Sequence, residues 1–158
     1  MNIPKISVVV LIVIGLVVLY SAPIGPMPGI FIGGTPTAVP EQWGETQHIH
    51  EIQLQAGEGP MARTVIIWVV DIDGDLHVVG TKGTGWVSAV GDGGPVRIQM
   101  AGSLYDLQAT QVVNDKRRVT TAWVEKYKTD YPEIVSGFQQ TDEALETTAV
   151  FKLTHRKG

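Results

Sequence analysis

The sequence predicts a mainly β domain, an antiparallel barrel or sandwich with helices packed at its side, preceded by one N-terminal transmembrane helix. Three observations carry this. Runs of β-branched and aromatic residues, "TVIIWVV" and "LHVV", flank a tight-turn signal at Asp73-Gly74. The hydrophobic period changes from strand-like to helical only after Asn114. And residues 6–24, "ISVVVLIVIGLVVLYSAPI", contain no charge.

That uncharged stretch comes first in the chain. Nineteen residues at about 1.5 Å each span about 28 Å, close to the hydrocarbon thickness of a bilayer. A core helix is rarely apolar on every face. Lys5 also resembles the charged start of a signal peptide. The cleavage site is poor, however, because bulky Tyr20 lies two positions before Ala22 and Pro23 follows directly. Residues 1–24 are therefore expected to stay as an anchor. No lysine or arginine follows Lys5 until Arg63, which points to an inside amino terminus and an extracytoplasmic domain on a single-pass protein. Residues 25–44 read as a Pro/Gly-rich linker, since five prolines and five glycines fall between Pro23 and Gly44 and keep the chain extended. Residues 45–158 remain as the folded domain, enough for one modest core.

Composition excludes several functions. The 158-residue chain has no cysteine, so disulfides, thiolate metal sites and a cysteine nucleophile are ruled out. A net charge of −4 with no clustered basic face argues against nucleic acid as a partner.

Within the domain, "HIHEIQL" (His48 to Leu54) alternates polar and apolar residues, the pattern of a half-buried strand. "RTVIIWVV" (Arg63 to Val70) is apolar almost throughout, so both its faces should be covered. The chain turns at Asp73-Gly74 and returns as "LHVVGT". "GTKGTG" leads into the short helix "WVSAVGD". "PVRIQMA" and "LYDLQATQV" form a second hairpin about Gly102-Ser103, with Val96, Ile98 and Met100 on one face and Arg97 and Gln99 on the other. After a possible cap at Asn114, Val119, Ala122, Trp123 and Tyr127 make one helical stripe. Pro132 interrupts it, a second short helix follows, and "TTAVFKLT" closes as a strand.

"DIDGD" (Asp71 to Asp75) raises the question of a metal site. In a calcium loop starting at Asp71 the required glycine position is Leu76 and the bidentate carboxylate position is Lys82. A lysine there repels the ion. The segment reads as a turn.

Three features remain as candidate sites. In "GTKGTG" before Trp86, backbone N–H groups, Lys82 and the hydroxyls of Thr81 and Thr84 could cradle an anion; a sharply turning surface loop has the same composition. His48 and His50, two apart on a strand, could chelate a metal, although no third ligand is evident and a surface pair reads more simply. Trp68 and Trp123 read as core. Trp86 either walls a ring-binding cleft or plugs the barrel end.

The block from "DGDLHVVGTKGTGWVSAV" through "PVRIQMAGSLYDLQATQV" resembles the flavin-binding split-barrel superfamily, which includes pyridoxamine 5'-phosphate oxidases and deazaflavin-dependent nitroreductases. "AWVEKYKTDYPEIVSGFQQTDEALETTAVFKLT" is similar to the nitroreductase-type ending, and together the likeness spans about residues 47–154. It implies a six-stranded split β-barrel, a homodimer, and FMN or a deazaflavin held where two barrels meet. Arg63, Thr81, Lys82, Gly83, Thr84 and Trp86 would be the cofactor-binding residues. The activity implied is a nitroreductase-like oxidoreductase, with hydride or electron transfer from the cofactor to a small organic substrate. No catalytic side chain is required. The loop "AGEGPMAR" carries Glu58 where such proteins place basic residues. That departure keeps open a second reading, a split barrel serving as a binding or scaffolding module on the outer membrane face.

Overall fold

The structure is a computed structural model and describes residues 10–17, 28–44, 46–57, 59–138 and 140–156. The described strands are β1 (Thr35–Pro36), β2 (Glu51–Ala56), β3 (Arg63–Ile72), β4 (Asp75–Thr81), β5 (Gly93–Met100), β6 (Ser103–Gln111) and β7 (Thr148–His155). The helices are α1 (residues 10–17), α2 (Gly85–Val90), α3 (Lys116–Tyr127), α4 (Pro132–Ser136) and α5 (Asp142–Thr147), with a 3-10 turn at Gly59–Met61.

Strand order β6-β5-β2-β3-β4-β7, with β7 returning to β6, closes a six-stranded antiparallel barrel. Closure removes most of the free edges an open sheet would expose. The period-two pattern fills the interior: Ile52 and Leu54, Val96, Ile98 and Met100, Phe151 and Leu153 all face one core. Trp86, Val87 and Val90 of α2 and the ring of Trp43 join that core. Trp43 meets Tyr105 edge-on at 5.0 Å.

The opposite faces of β3, β4 and β7 carry a second apolar layer. Val119, Trp123 and Tyr127 of α3 and Val135 of α4 pack there with Val70 and Val150. Tyr127 is fully buried. Its hydroxyl accepts from Val69 N at 3.0 Å and lies 2.6 and 2.7 Å from the carbonyls of His50 and Val69. It bridges the point where β2 pairing stops, at Trp68↔Glu51.

Both hairpins turn through two left-handed residues. Asp73 and Gly74 have φ of 56° and 83°, and Ala101 and Gly102 have 48° and 83°. The second turn is therefore centred one residue earlier than expected, with Met100 paired to Ser103. β2 begins at Glu51, so His48 and His50 lie before the strand and not along one face of it. His50 instead sits 3.4 Å from the Asp130 carboxylate and edge-on to Tyr127 and Tyr131. The end of the chain holds one more helix than expected, α5, capped by Thr141 Oγ1 accepting from Ala144 N.

The described part of the Pro/Gly-rich segment, residues 28–44, lies against the barrel. Gly29 and Thr64 exchange backbone hydrogen bonds at 2.8 and 2.7 Å, Gln55 Nε2 donates to Ile30 O, and β1 runs parallel to β6. Ile32 is buried beneath it.

Residues 10–17 are helical and all exposed. Among the described residues no helix is long and apolar enough to cross a membrane. The remainder of the uncharged stretch expected to span one, residues 6–9 and 18–24, lies outside the described residues.

Candidate cofactor groove

The barrel parts between β3 and β4. Their register runs only from Val69↔Val78 to Ile72↔Asp75, whereas β3 pairs with β2 back to Arg63. The far half of β4, Val79 to Thr81, pairs with β7 alone. Along an antiparallel strand, peptide groups of alternate residues point to the same side. Thr64 directs its N–H and C=O to Gly29, so Ile66 directs its own to the same edge. Among the described residues no strand pairs with β3 there at Ile66.

A groove of about 370 Å³ follows this split, lined by Pro28, Arg63, Val65, Ile66, Ile67, Thr84, Gly85 and Trp86. Helix α2 forms one wall. It approaches so closely because Gly80 lacks a side chain. A Cβ at Gly80 would meet Trp86 Cζ2 at 2.3 Å and Val87 Cγ2 at 2.9 Å. Trp86 is buried, 5.7 Å from Phe151, and thus both plugs the barrel and borders the groove.

The expected binding residues divide between two depressions. Arg63, Thr84 and Trp86 come together in the groove. Lys82 lines a different, open depression with Lys116, Arg117, Asp142 and Glu146. There Lys116 donates to the carbonyls of Leu145 and Thr148, and burial, then the Lys82 charge, lowers its pKa. Between the depressions Gly83 takes φ of 84°. The Thr84 hydroxyl donates to Thr81 O at 2.8 Å, which leaves its lone pairs, and not its proton, for a ligand. Lys82 N donates to Thr147 O. Helix α2 has six residues, so its N-terminal dipole is weak. Arg63 Nη1 donates to Ala62 O at 2.8 Å. Glu58 lies outside the described residues.

The three carboxylates of "DIDGD" diverge. Asp71 Oδ1 accepts from Gly74 N at 3.0 Å, Asp73 pairs with Arg118 and Asp75 with Lys152, each at 2.6 Å. This is a turn held by its own first residue. Among the described residues no three His, Cys, Asp or Glu side chains are grouped to hold a metal. His77, on β4, donates from Nδ1 to Asp75 O, and burial lowers its pKa.

Sequence reasoning missed the parting of β3 from β4 beyond Val69↔Val78. It also missed Gly80, although a glycine inside a strand run signals close approach by a neighbour.

The fold and the groove together define a split-barrel protein. Several solved structures are similar to this chain at low sequence identity. The FAD- and heme-binding protein of Mycobacterium smegmatis matches with a TM-score of 0.49 and 14% identity, over 71% of this chain and 68% of that one. HutZ, the heme storage protein of Vibrio cholerae, matches with a TM-score of 0.49 and 14% identity over 72% and 87%. A candidate pyridoxamine 5'-phosphate oxidase of Listeria innocua gives a TM-score of 0.49 and 13% identity over 70% and 87%. No protein-family model matches the chain, and no curated protein matches it in sequence.

Proposed function

We propose that this is a membrane-anchored split-barrel oxidoreductase that holds FMN or a deazaflavin in the groove and acts on a small organic substrate. The observation that carries this is the parting of β3 from β4, where no described strand pairs with β3 at Ile66, beside an apolar slot. A flavin-type ring is flat and apolar on its faces, with donors and acceptors along its rim. Val65, Ile67 and Trp86 offer the apolar contact, and the N–H and C=O of Ile66 offer hydrogen bonds to the rim. Arg63 offers charge to an anionic tail, and the turn from Thr81 through Lys82 and Gly83 to Thr84 stands at the other rim. When bound, the cofactor supplies the hydride or electron chemistry; the chain binds, orients and excludes water. The groove lies at the small end of the range for ligand sites, so part of the cofactor would extend beyond it, where a second copy in a homodimer would cover it.

The anchor is residues 1–24, with the barrel outside the cytoplasm. The exposure of every residue from 10 to 17, all apolar except Gly15, supports this, because an all-apolar helix that does not pack on the barrel needs another apolar phase. One observation favours the second reading, a binding or scaffolding module: Lys82 lines a depression separate from that of Arg63 and Trp86.

The test is a titration of flavin mononucleotide into the full chain, followed by ring fluorescence. A charge-assisted contact contributes about 1.5–3 kcal/mol, so Arg63→Ala should weaken binding about ten- to a hundredfold. Lys82→Ala is expected to weaken binding only if the tail crosses the Thr81–Thr84 turn. Absence of binding by the wild-type chain would leave the scaffold as the reading. Cleavage of the barrel by protease added outside intact cells is expected, and protection would reverse the orientation.

A further inference from the structure

We propose that the barrel is seated on the bilayer, with the side chains of Ile30, Phe31 and Met61 inserted at the lipid–water interface beside the anchor. This rests on the membrane reading above and specifies which face of the barrel meets the lipid. Ile24 ends the segment assigned to the anchor and Gly29 is already fastened to Thr64. Five residues reach at most about 18 Å even when fully extended. The headgroup region on one side of a bilayer is about 5–8 Å thick. The start of β3 is thereby confined to the membrane surface.

The residues at that place are the wrong ones for water. Ile30 is 37%, Phe31 63% and Met61 73% exposed. The Gly29↔Thr64 bridge is antiparallel, which runs Ile30 and Phe31 alongside the Met61–Arg63 segment. Ile30, Gly59 and Ala62 also line one crevice. A bulky aromatic, a flexible thioether and a branched aliphatic on neighbouring segments suit interfacial insertion. Gln55, buried and donating to Ile30 O at 2.8 Å, fastens the strap to β2 at Ile30. Pro28, which lines the cofactor groove, belongs to the same face, so the groove opens beside the lipid. Ile134 serves as an internal reference. It is also apolar and 59% exposed, but it lies on α4, whose N-cap Tyr131 meets His50 beside the start of β2, the end opposite Ala56.

The absence of cysteine makes the test clean. Single variants Ile14→Cys, Phe31→Cys, Met61→Cys and Ile134→Cys of the full chain are labelled with an environment-sensitive fluorophore. Each is reconstituted in phosphatidylcholine vesicles carrying a spin-labelled lipid quencher. The expected result is strong quenching at Ile14 and several-fold more quenching at Phe31 and Met61 than at Ile134. Quenching at Ile14 with Phe31 and Met61 no different from Ile134 would overturn the seating and leave the anchor intact. No quenching at Ile14 would remove the anchor itself, and the seating with it. Labels at Phe31 and Met61 that are blue-shifted but unquenched would assign the patch to a second copy of the chain and also overturn the proposal.

Discussion

Gly80 is the residue on which the groove depends. With Trp86 Cζ2 2.3 Å from where its Cβ would stand, Gly80→Ala must push α2 outward or twist β4. Overpacking of this kind costs about 1–3 kcal/mol, to be read as a lower urea midpoint with an unchanged slope. Tyr127 acts on the other side of the sheet. Its hydroxyl satisfies the buried Val69 N–H, and Tyr127→Phe leaves that donor without a partner at a cost of about 1–3 kcal/mol. Lys126, beside it, donates to the carbonyls of Thr46, Ile49 and Val69. Burial lowers its pKa from 10.5 to about 8. Between those values the unfolded chain binds the proton and the folded one does not, so this group makes stability rise with pH. The difference in stability between wild type and Lys126→Met should therefore shift in favour of wild type from pH 8 to 10. A flat difference over that window would remove the assignment. Burial raises the Tyr127 pKa, and that group works in the opposite direction only above its ordinary range.

At the scale of elements, the two hairpins share one device and should respond alike. Gly74 and Gly102 each hold φ of 83°. A Cβ at Gly74 would touch only the Gln42 side chain, at 3.5 Å, and one at Gly102 nothing within 4 Å. The penalty is thus the backbone's alone, and Gly74→Ala and Gly102→Ala should each cost about 1–2 kcal/mol in chemical unfolding. Costs that differ widely would mean that side-chain contacts, and not the left-handed conformation, govern the turns. These elements were legible because their signals are local: Asp73-Gly74 between β-branched runs, the alternation of Val96, Ile98 and Met100, the stripe of Val119, Trp123 and Tyr127. The start of β2 was not, because His48 and His50 continue the alternation while His50 turns to tertiary contacts with Asp130 and Tyr131. Helix α5 was hidden by its length of six residues, too short to show a period. The candidate groove was legible only in its residues. Arg63, Thr84 and Trp86 meet in one groove, but the separation of Lys82 from them depends on how β4 and β7 pair beyond the split, which no local pattern encodes.

On the scale of the whole molecule, the barrel interior and the helical layer are two faces of the same strands. Val69, Val78 and Phe151 point inward while Val70, Val79 and Val150 support α3 and α4. The barrel cannot lose β7 without stripping Val150 from the outer layer. Nor can α3 leave without orphaning Val69 and exposing Trp68, which stacks on Tyr127 at 4.3 Å. Peeling off the helices first would expose Trp123, Tyr127 and Val135 while returning only the chain entropy of those helices. Residues 28–156 should therefore unfold in one step. The rings report on this separately: Trp68 and Trp123, with centroids 5.2 Å apart, lie in the outer layer, and Trp43 and Trp86 lie in the barrel. Coincident urea midpoints are expected by far-UV dichroism for the strands and by near-UV dichroism for the aromatic layer. In the double variant Trp68→Phe/Trp123→Phe, whose tryptophan fluorescence comes from Trp43 and Trp86 in the barrel alone, the fluorescence and far-UV midpoints are expected to coincide as well. A near-UV transition that precedes the far-UV one would mean that the helical layer detaches from an intact barrel, and that Tyr127 does not couple the two.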